Sequence, residues 1–295
     1  MRDNSSNRGG MGKLVCPWSS SCLLLMFVLA SCAHNGARPS AIFAPDPRSS
    51  LATDAGGNVY VASDKRVTKW DADGNPLPFA PATADAIVAD EDYLYCAAET
   101  KIRRFTLASG QPAPLTGPSA DIPVDFVRAL DVTGATLYVA GGDKIRMFDT
   151  STGAPSGEFD VHLPRAVAVD PLGQIWVAHD RSVVQAFRAD GYSGVTYGGL
   201  GEVTSLSFGP GAKLYAADAA SGKVLTLDTG ASPAQFVPVL DVPGVTAVVA
   251  DNRGNLVTLQ EGGRIAKWTG AGKLLWERWV DSTSRGAGRN MNVSR

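Results

Sequence analysis

Gln174-Ile175-Trp176-Val177-Ala178 is the stretch on which the fold turns. It is short, carries β-branched and aromatic side chains, and favours a half-buried pleated strand over a helix. Before it runs Arg165-Ala166-Val167-Ala168-Val169-Asp170, a second apolar strand ending in an Asp turn, and after it Ser182-Val183-Val184-Gln185-Ala186-Phe187, a third. The central stretch recurs as Asn58-Val59-Tyr60-Val61-Ala62, Tyr93-Leu94-Tyr95-Cys96-Ala97, Thr136-Leu137-Tyr138-Val139-Ala140, Lys213-Leu214-Tyr215-Ala216-Ala217 and Asn255-Leu256-Val257-Thr258-Leu259. The anchors Tyr60, Tyr95, Tyr138, Trp176, Tyr215 and Val257 are 35, 43, 38, 39 and 42 residues apart. A period near 40 marks an array of supersecondary units that bury their apolar faces against one another.

Third strands such as Arg66-Val67-Thr68-Lys69-Trp70 and Arg264-Ile265-Ala266-Lys267-Trp268 alternate apolar and cationic residues, which predicts a sheet buried between units and cations towards a wetter outer rim. Turns such as Asp71-Ala72-Asp73-Gly74 then lead into a variable outer strand, of which Leu274-Leu275-Trp276-Glu277-Arg278-Trp279-Val280 is one. Four antiparallel strands in each of six units predict an all-β, six-bladed β-propeller over residues 50–280. Radial closure removes the long open ends that a linear stack would expose. The ring is expected to close at a blade boundary, with Ala41-Ile42-Phe43-Ala44 as an alternative extra strand for the last blade.

Composition agrees with many turns around short strands: 32 Gly, 18 Pro and only 19% charged residues. A formal net charge of −2 provides no basic surplus for tracking phosphates, so a nucleic-acid partner is not expected.

At the N-terminus, Arg2, Arg8 and Lys13 precede the apolar run Leu23 to Ala30, with Met11 as a second start. The run is shorter than the ~20 residues a membrane-crossing helix needs, and it reads as a secretory signal over residues 1–31. It ends in Leu29-Ala30-Ser31-Cys32, which resembles the lipobox of bacterial lipoproteins, where the cysteine is acylated and becomes the new N-terminus. That implies a lipid anchor on Cys32, and Ala33 in place of Asp favours the outer membrane in a Gram-negative cell. Residues 32–49 form a Pro/Ser/Ala-rich tether, and residues 281–295 read as a disordered tail. Cys96 is the single cysteine of the folded domain, expected buried on a strand and unable to form an intrachain disulfide there.

The Asp-x-x-Gly-Asn turn, the aromatic-Val-Ala strand and the Asp-x-x-Gly turn, best kept around Asp54, Asp170 and Asp251, make the repeat similar to NHL-repeat and gluconolactonase/strictosidine-synthase-like propellers. The resemblance covers residues 50–280 and implies ligand binding at the mouth of the central channel, between the loops entering each inner strand and the hairpins joining second and third strands. Such folds host unrelated activities, so the resemblance does not select one.

By register, the entry positions are Ser49, Asp85, Arg128, Arg165, Thr204 and Thr246, and the hairpin positions Ser63, Ala98, Gly141, His179, Asp218 and Gln260. Arg128, Arg165, His179, Asp85, Asp218 and Gln260 are the candidate ligand-binding residues. Arg128 and Arg165 occupy consecutive blades, and two guanidiniums side by side suit a carboxylate or phosphate. The structural alternative pairs each with a nearby acid such as Asp85, Asp125 or Asp131.

No catalytic residue is assigned. The resemblance implies, for an enzyme, one divalent ion held by Glu, Asn and Asp, whereas these rings offer Asp85, Asp218 and Gln260, with Glu99 and Glu261 one residue out of register. A hard-cation site from Asp85, Asp218 and Glu99 is the alternative. Zinc lacks ligands at suitable spacing around His162 and His179, and no Gly-x-Ser-x-Gly elbow is present. No cofactor is therefore expected. The chain reads as an envelope-anchored, monomeric propeller that binds or scaffolds a protein, peptide or glycan partner. The alternatives are a metal-dependent lactonase, esterase or lyase, and a purely structural subunit.

Overall fold

Short β-branched strands separated by Asp and Gly turns pair with their sequence neighbours, and in the computed structural model they form six four-stranded antiparallel sheets. Residues 50–79 and 83–280 are described; the signal, Cys32, the tether with Ile42 and Phe43, and the tail lie outside them. Blade one comprises β1 (Ser50–Thr53), β2 (Val59–Ser63), β3 (Arg66–Trp70) and β4 (Pro76–Leu77). Blade two comprises β5 (Ala86–Ala89), β6 (Tyr93–Ala98), β7 (Lys101–Thr106) and β8 (Ile122–Pro123). Blade three comprises β9 (Ala129–Thr133), β10 (Thr136–Gly141), β11 (Lys144–Asp149) and β12 (Pro155–Asp160). Blade four comprises β13 (Ala166–Val169), β14 (Ile175–His179), β15 (Val183–Phe187) and β16 (Ser193–Tyr197). Blade five comprises β17 (Val203–Gly209), β18 (Lys213–Asp218), β19 (Lys223–Asp228) and β20 (Val237–Asp241). Blade six comprises β21 (Val245–Ala250), β22 (Leu256–Gln260), β23 (Arg264–Trp268) and β24 (Leu274–Trp279). Neighbouring inner strands touch in a closed cycle, with β21 returning to β1, which makes a six-bladed propeller.

The core lies in the seams between blades rather than in one central cluster. Between blades four and five, Trp176 and Val184 pack with Leu214 and Leu227. Between blades six and one, Val257, Leu259 and Ile265 pack with Val59 and Val61. Cys96 is buried in the seam of blades one and two, where burial pushes its thiol up to about 12 and leaves it unreactive.

The repeated Asp residues hold the turns, as the sequence suggests, and also fix the aromatic anchors. Asp54 accepts from the Asn58 N–H at 2.9 Å and from the Tyr60 hydroxyl at 3.0 Å. Asp90 accepts from Tyr95 at 2.9 Å and Asp170 from Trp176 Nε1 at 3.3 Å. One carboxylate thus satisfies both a turn and the polar tip of a buried ring.

The cations of the third strands depart from expectation. Lys69 and Lys267 are 8% and 3% exposed and sit directly across from the anchors Tyr60 and Val257. Each reaches into the next blade: Lys69 Nζ donates to the Leu107 carbonyl at 2.8 Å, and Lys267 Nζ to the Gly57 carbonyl at 3.4 Å. Arg104, across from Tyr95, donates to the Thr150 carbonyl of blade three at 2.8 Å. The long apolar stems cross the seam while the charged heads satisfy buried carbonyls.

Blade six supplies its own outer strand, so the ring closes at a blade boundary. Trp276 Nε1 donates to the Ala72 carbonyl at 2.9 Å and Arg278 Nε to the Gly74 carbonyl at 2.8 Å. Gly74 adopts φ +80°, and a Cβ there would lie 2.7 Å from the Trp276 ring.

Candidate functional site

Every inner strand begins, and every second strand ends, on the same face of the disk, so the entry loops and the second hairpins converge there. The backbone confirms the register of the two arginines: Arg128 N–H donates to the Ala140 carbonyl and Arg165 N–H to the Ala178 carbonyl, both at 2.8 Å.

Two residues before each arginine stands a bulky apolar residue in the left-handed region. Phe126 has φ +57° and is 76% exposed, and Leu163 has φ +46° and is 48% exposed. For L-residues this conformation costs roughly 1–2 kcal/mol. The β10–β11 hairpin holds both loops. A Cβ on Gly141 would lie 1.8 Å from the Phe126 carbonyl oxygen, so only glycine permits that approach, and Asp143 Oδ1 accepts the Leu163 N–H at 2.8 Å. The β10–β11 hairpin of blade three therefore fixes two entry loops, those of blades three and four, each of which presents an apolar residue.

The six candidate residues divide by whether their polar atoms are free. Arg128 is exposed, lines the channel mouth, and makes no side-chain hydrogen bond or ion pair among the described residues. Asp85 is half-buried, and its carboxylate likewise has no partner among the described residues. Arg165 Nη1 is 2.5 Å from Glu202 Oε1, an acid contributed by the loop entering blade five rather than by Asp85, Asp125 or Asp131. His179 has both ring nitrogens engaged, Nδ1 with Asp180 at 2.9 Å and Nε2 with Gln185 at 3.2 Å. The other Asp180 oxygen lies 2.6 Å from His162 Nδ1, an arrangement that raises the His162 pKa and lowers that of Asp180.

Asp218 and Gln260 are buried and tied to their own loops. The Asp218 carboxylate accepts the N–H groups of Gly201 at 3.0 Å, Glu202 at 2.9 Å and Ser221 at 3.3 Å. A Cβ on Gly201 would stand 2.2 Å from Asp218 Oδ1, which explains a glycine in Gly198-Gly199-Leu200-Gly201. Gln260 Nε2 donates to the Pro243 carbonyl at 2.8 Å and its Oε1 accepts from Arg264 at 3.1 Å. Among the described residues no group of three or more His, Cys, Asp or Glu side chains is placed to hold a metal ion.

The channel itself is a cavity of about 280 Å³ lined by the inner strands. Side chains of one inner strand satisfy the unpaired backbone edge of the next. Ser50 Oγ pairs with the Ile87 N–H and carbonyl, and Ser205 Oγ with those of Val248, all within 3.3 Å. Asp131 Oδ2 accepts the Val169 N–H at 2.6 Å. Although its surface lines the channel cavity, Asp131 lies deep in the protein, and burial pushes its carboxyl up to about 7 against the opposing backbone hydrogen bonds.

The residues not anticipated from sequence are Phe126, Leu163 and Glu202. A signal for the first two was present: Phe126-Val127-Arg128-Ala129 and Leu163-Pro164-Arg165-Ala166 repeat the order apolar, variable, Arg, Ala at equivalent entry positions. In comparison with known proteins, the chain matches no protein-family model and no curated protein.

Proposed function

We propose that this chain is an envelope-anchored binding or scaffold module, lipidated on Cys32 and placed at the outer membrane, whose channel face holds a protein, peptide or glycan partner. The observation that carries the reading is the exposure of Phe126 and Leu163 in a strained conformation near the Arg128 guanidinium, which has no partner among the described residues. Apolar contacts near an exposed guanidinium suit a partner that offers an apolar group next to an acidic one. The fold and the repeated Asp turns support kinship with NHL-like propellers, within which this chain takes the non-catalytic role. The hydrogen bonds that occupy Asp218 weigh against a metal-dependent lactonase, whose ion would need those oxygens.

The test is crosslinked capture from native envelopes, comparing the unaltered chain with an Arg128→Ala/Phe126→Ala variant. Loss of the captured species in the variant supports the channel face, and undiminished capture overturns it. Metabolic labelling with a fatty acid, compared between the unaltered chain and Cys32→Ser, tests the anchor.

A further inference from the structure

Blade three carries a second guanidinium on the same face as Arg128, and its hydrogen bonds are incomplete. Arg146 of β11 lies directly across from Val139 of β10, which in turn lies across from Leu130 of β9. Directly paired residues of an antiparallel sheet share a face. Leu130 and Val139 pack with Tyr95, Ala97 and Ile102 of blade two, so that face looks towards blade two. Arg128 stands two residues before Leu130, and its N–H continues the pairing to the Ala140 carbonyl, so strand alternation points it the same way. The two arginines therefore flank β10, Arg128 exposed at the channel mouth and Arg146 half-buried.

The loop that enters blade three lies next to Arg146. The position that a Cβ on Gly142 would occupy is 3.5 Å from Arg146 Nη2, 3.9 Å from its Nη1 and 3.9 Å from Phe126 Cβ. Glycine thus leaves a gap bounded by a guanidinium on one side and by Phe126 on the other. Arg146 Nη1 is buried and has no hydrogen-bond partner among the described residues. Glu158 lies 3.9 Å from Arg146 Nε, outside hydrogen-bond range, and is engaged by Lys144. In blade two the same register position holds Arg103, which Asp121 matches at 3.5 Å. Blades one, four, five and six have Thr68, Gln185, Leu225 and Ala266 there, so the fold does not require an arginine. A buried donor without an acceptor is costly, and an incoming anion would remove that cost.

We propose that Arg128 and Arg146 together hold the C-terminal carboxylate of a peptide whose last side chain packs on Phe126. This recognition rests on the channel-face reading above and gives the partner a chemistry. Guanidiniums on one face supply the paired N–H donors that a carboxylate accepts. A terminal residue bears its carboxylate and its side chain on one carbon, so the two can meet Phe126 and Arg128, which are two positions apart in one loop. Inside an extended chain, an acidic residue and its apolar neighbour point to opposite faces and cannot both address this corner. The acids Asp125, Asp143 and Glu158 around the loop favour an anion of single charge over a phosphate. Because Nη1 is buried, a carboxylate reaches it when the Phe126 loop shifts, a movement that the strained backbone of Phe126 makes less costly.

The test measures fluorescence anisotropy of two probes with the full chain: fluorescein-labelled Ala-Ala-Ala-Leu with a free carboxylate, and the same peptide ending in an amide. The free acid is expected to bind about tenfold more tightly. Arg128→Ala and Arg146→Met should each cut that preference to about threefold or less. Arg146→Lys keeps the charge without the planar fork, guards against a Met variant that fails to fold, and should also lower the preference. Phe126→Ala should instead reduce the preference for Leu over Ser at the last position while keeping that for acid over amide. Equal binding of acid and amide, a preference that survives both arginine substitutions, or stronger competition by inorganic phosphate than by acetate overturns the proposal. Absence of binding by either probe overturns it too; if capture from envelopes still depends on Arg128 and Phe126, the channel-face reading stands without it.

Discussion

Replacing Lys267 by Met tests whether the seam closing the ring depends on a buried ion pair. Lys267 Nζ lies 3.1 Å from Asp251 Oδ2, and the two side chains are 4% and 0% exposed. Methionine keeps most of the length and removes the charge, so the Asp251 carboxylate is left buried without its cation. Removing one partner of such a pair costs about 3–5 kcal/mol. Asp251 still accepts the N–H groups of Arg253 and Asn255 and the Asn255 amide, which places the loss at the lower end. For a domain of this size the melting temperature should fall by about 6–15 °C. Adding Asp251→Asn removes the stranded charge and should restore about half of the loss, a coupling read from a double-mutant cycle in urea. The pH dependence gives a second check. Burial pushes the Asp251 carboxyl up, but hydrogen bonds from Asn255 and the Lys267 cation outweigh it and hold the pKa below its ordinary value. A depressed carboxyl contributes stability that is complete above the unfolded value of about 3.9 and is lost as pH falls through the folded one. The deficit of Lys267→Met should therefore shrink in acid. A deficit below about 1 kcal/mol, set against the cost expected for a broken buried pair, or one equal at acidic and neutral pH, refutes the reasoning.

Three further outcomes follow from the same geometry. The Asp180 hydrogen bond raises the His162 pKa, so Asp180→Asn should bring it down in an NMR titration; the bond supports the entry loop below the ordinary histidine value and is lost as pH rises through the raised one. Between pH ~4 and ~7 the Asp131 carboxyl holds a proton in the folded state that the unfolded chain has released, so stability falls across that window. Asp131→Asn should therefore gain on the unaltered protein from pH 4 to pH 8 in thermal melts, and a constant gap would contradict this. Gly201→Ala forces a Cβ onto the Asp218 carboxylate and should cost about 1–3 kcal/mol in chemical denaturation.

The fold was legible because its signal is repeated: six anchors near a 40-residue period, with Asp and Gly turns at matching positions, fix strand order and blade number together. The candidate face was legible for the same reason, since register alone identifies which residues enter the inner strands. What register cannot convey is the partner of each side chain. Arg165 meets Glu202, a residue 37 positions away in the next entry loop, and alternation in β3 and β23 gives no hint that Lys69 and Lys267 cross a seam instead of facing solvent. Val257 breaks the run of aromatic anchors, and its meaning emerges only from Lys267 across the pair, whose ammonium joins Asp251 in the seam.

Backbone conformation supplies the last step, because it separates what the fold requires from what it carries at a cost. Two residues before Thr246, blade six has Gly244 at φ +73°, where a left-handed conformation is free of steric penalty. Blades three and four reach the same region with Phe126 and Leu163, whose side chains gain little from burial. Phe126→Gly should accordingly be more stable than Phe126→Ala by about 1 kcal/mol, since alanine keeps the strain without the side chain and glycine relieves it. If the channel face binds through this loop, both variants lose capture while only one gains stability, and that divergence marks Phe126 as kept for contact rather than for folding. Equal stability of the two would mean that the loop relaxes, and the strain could then no longer be cited as a sign of function.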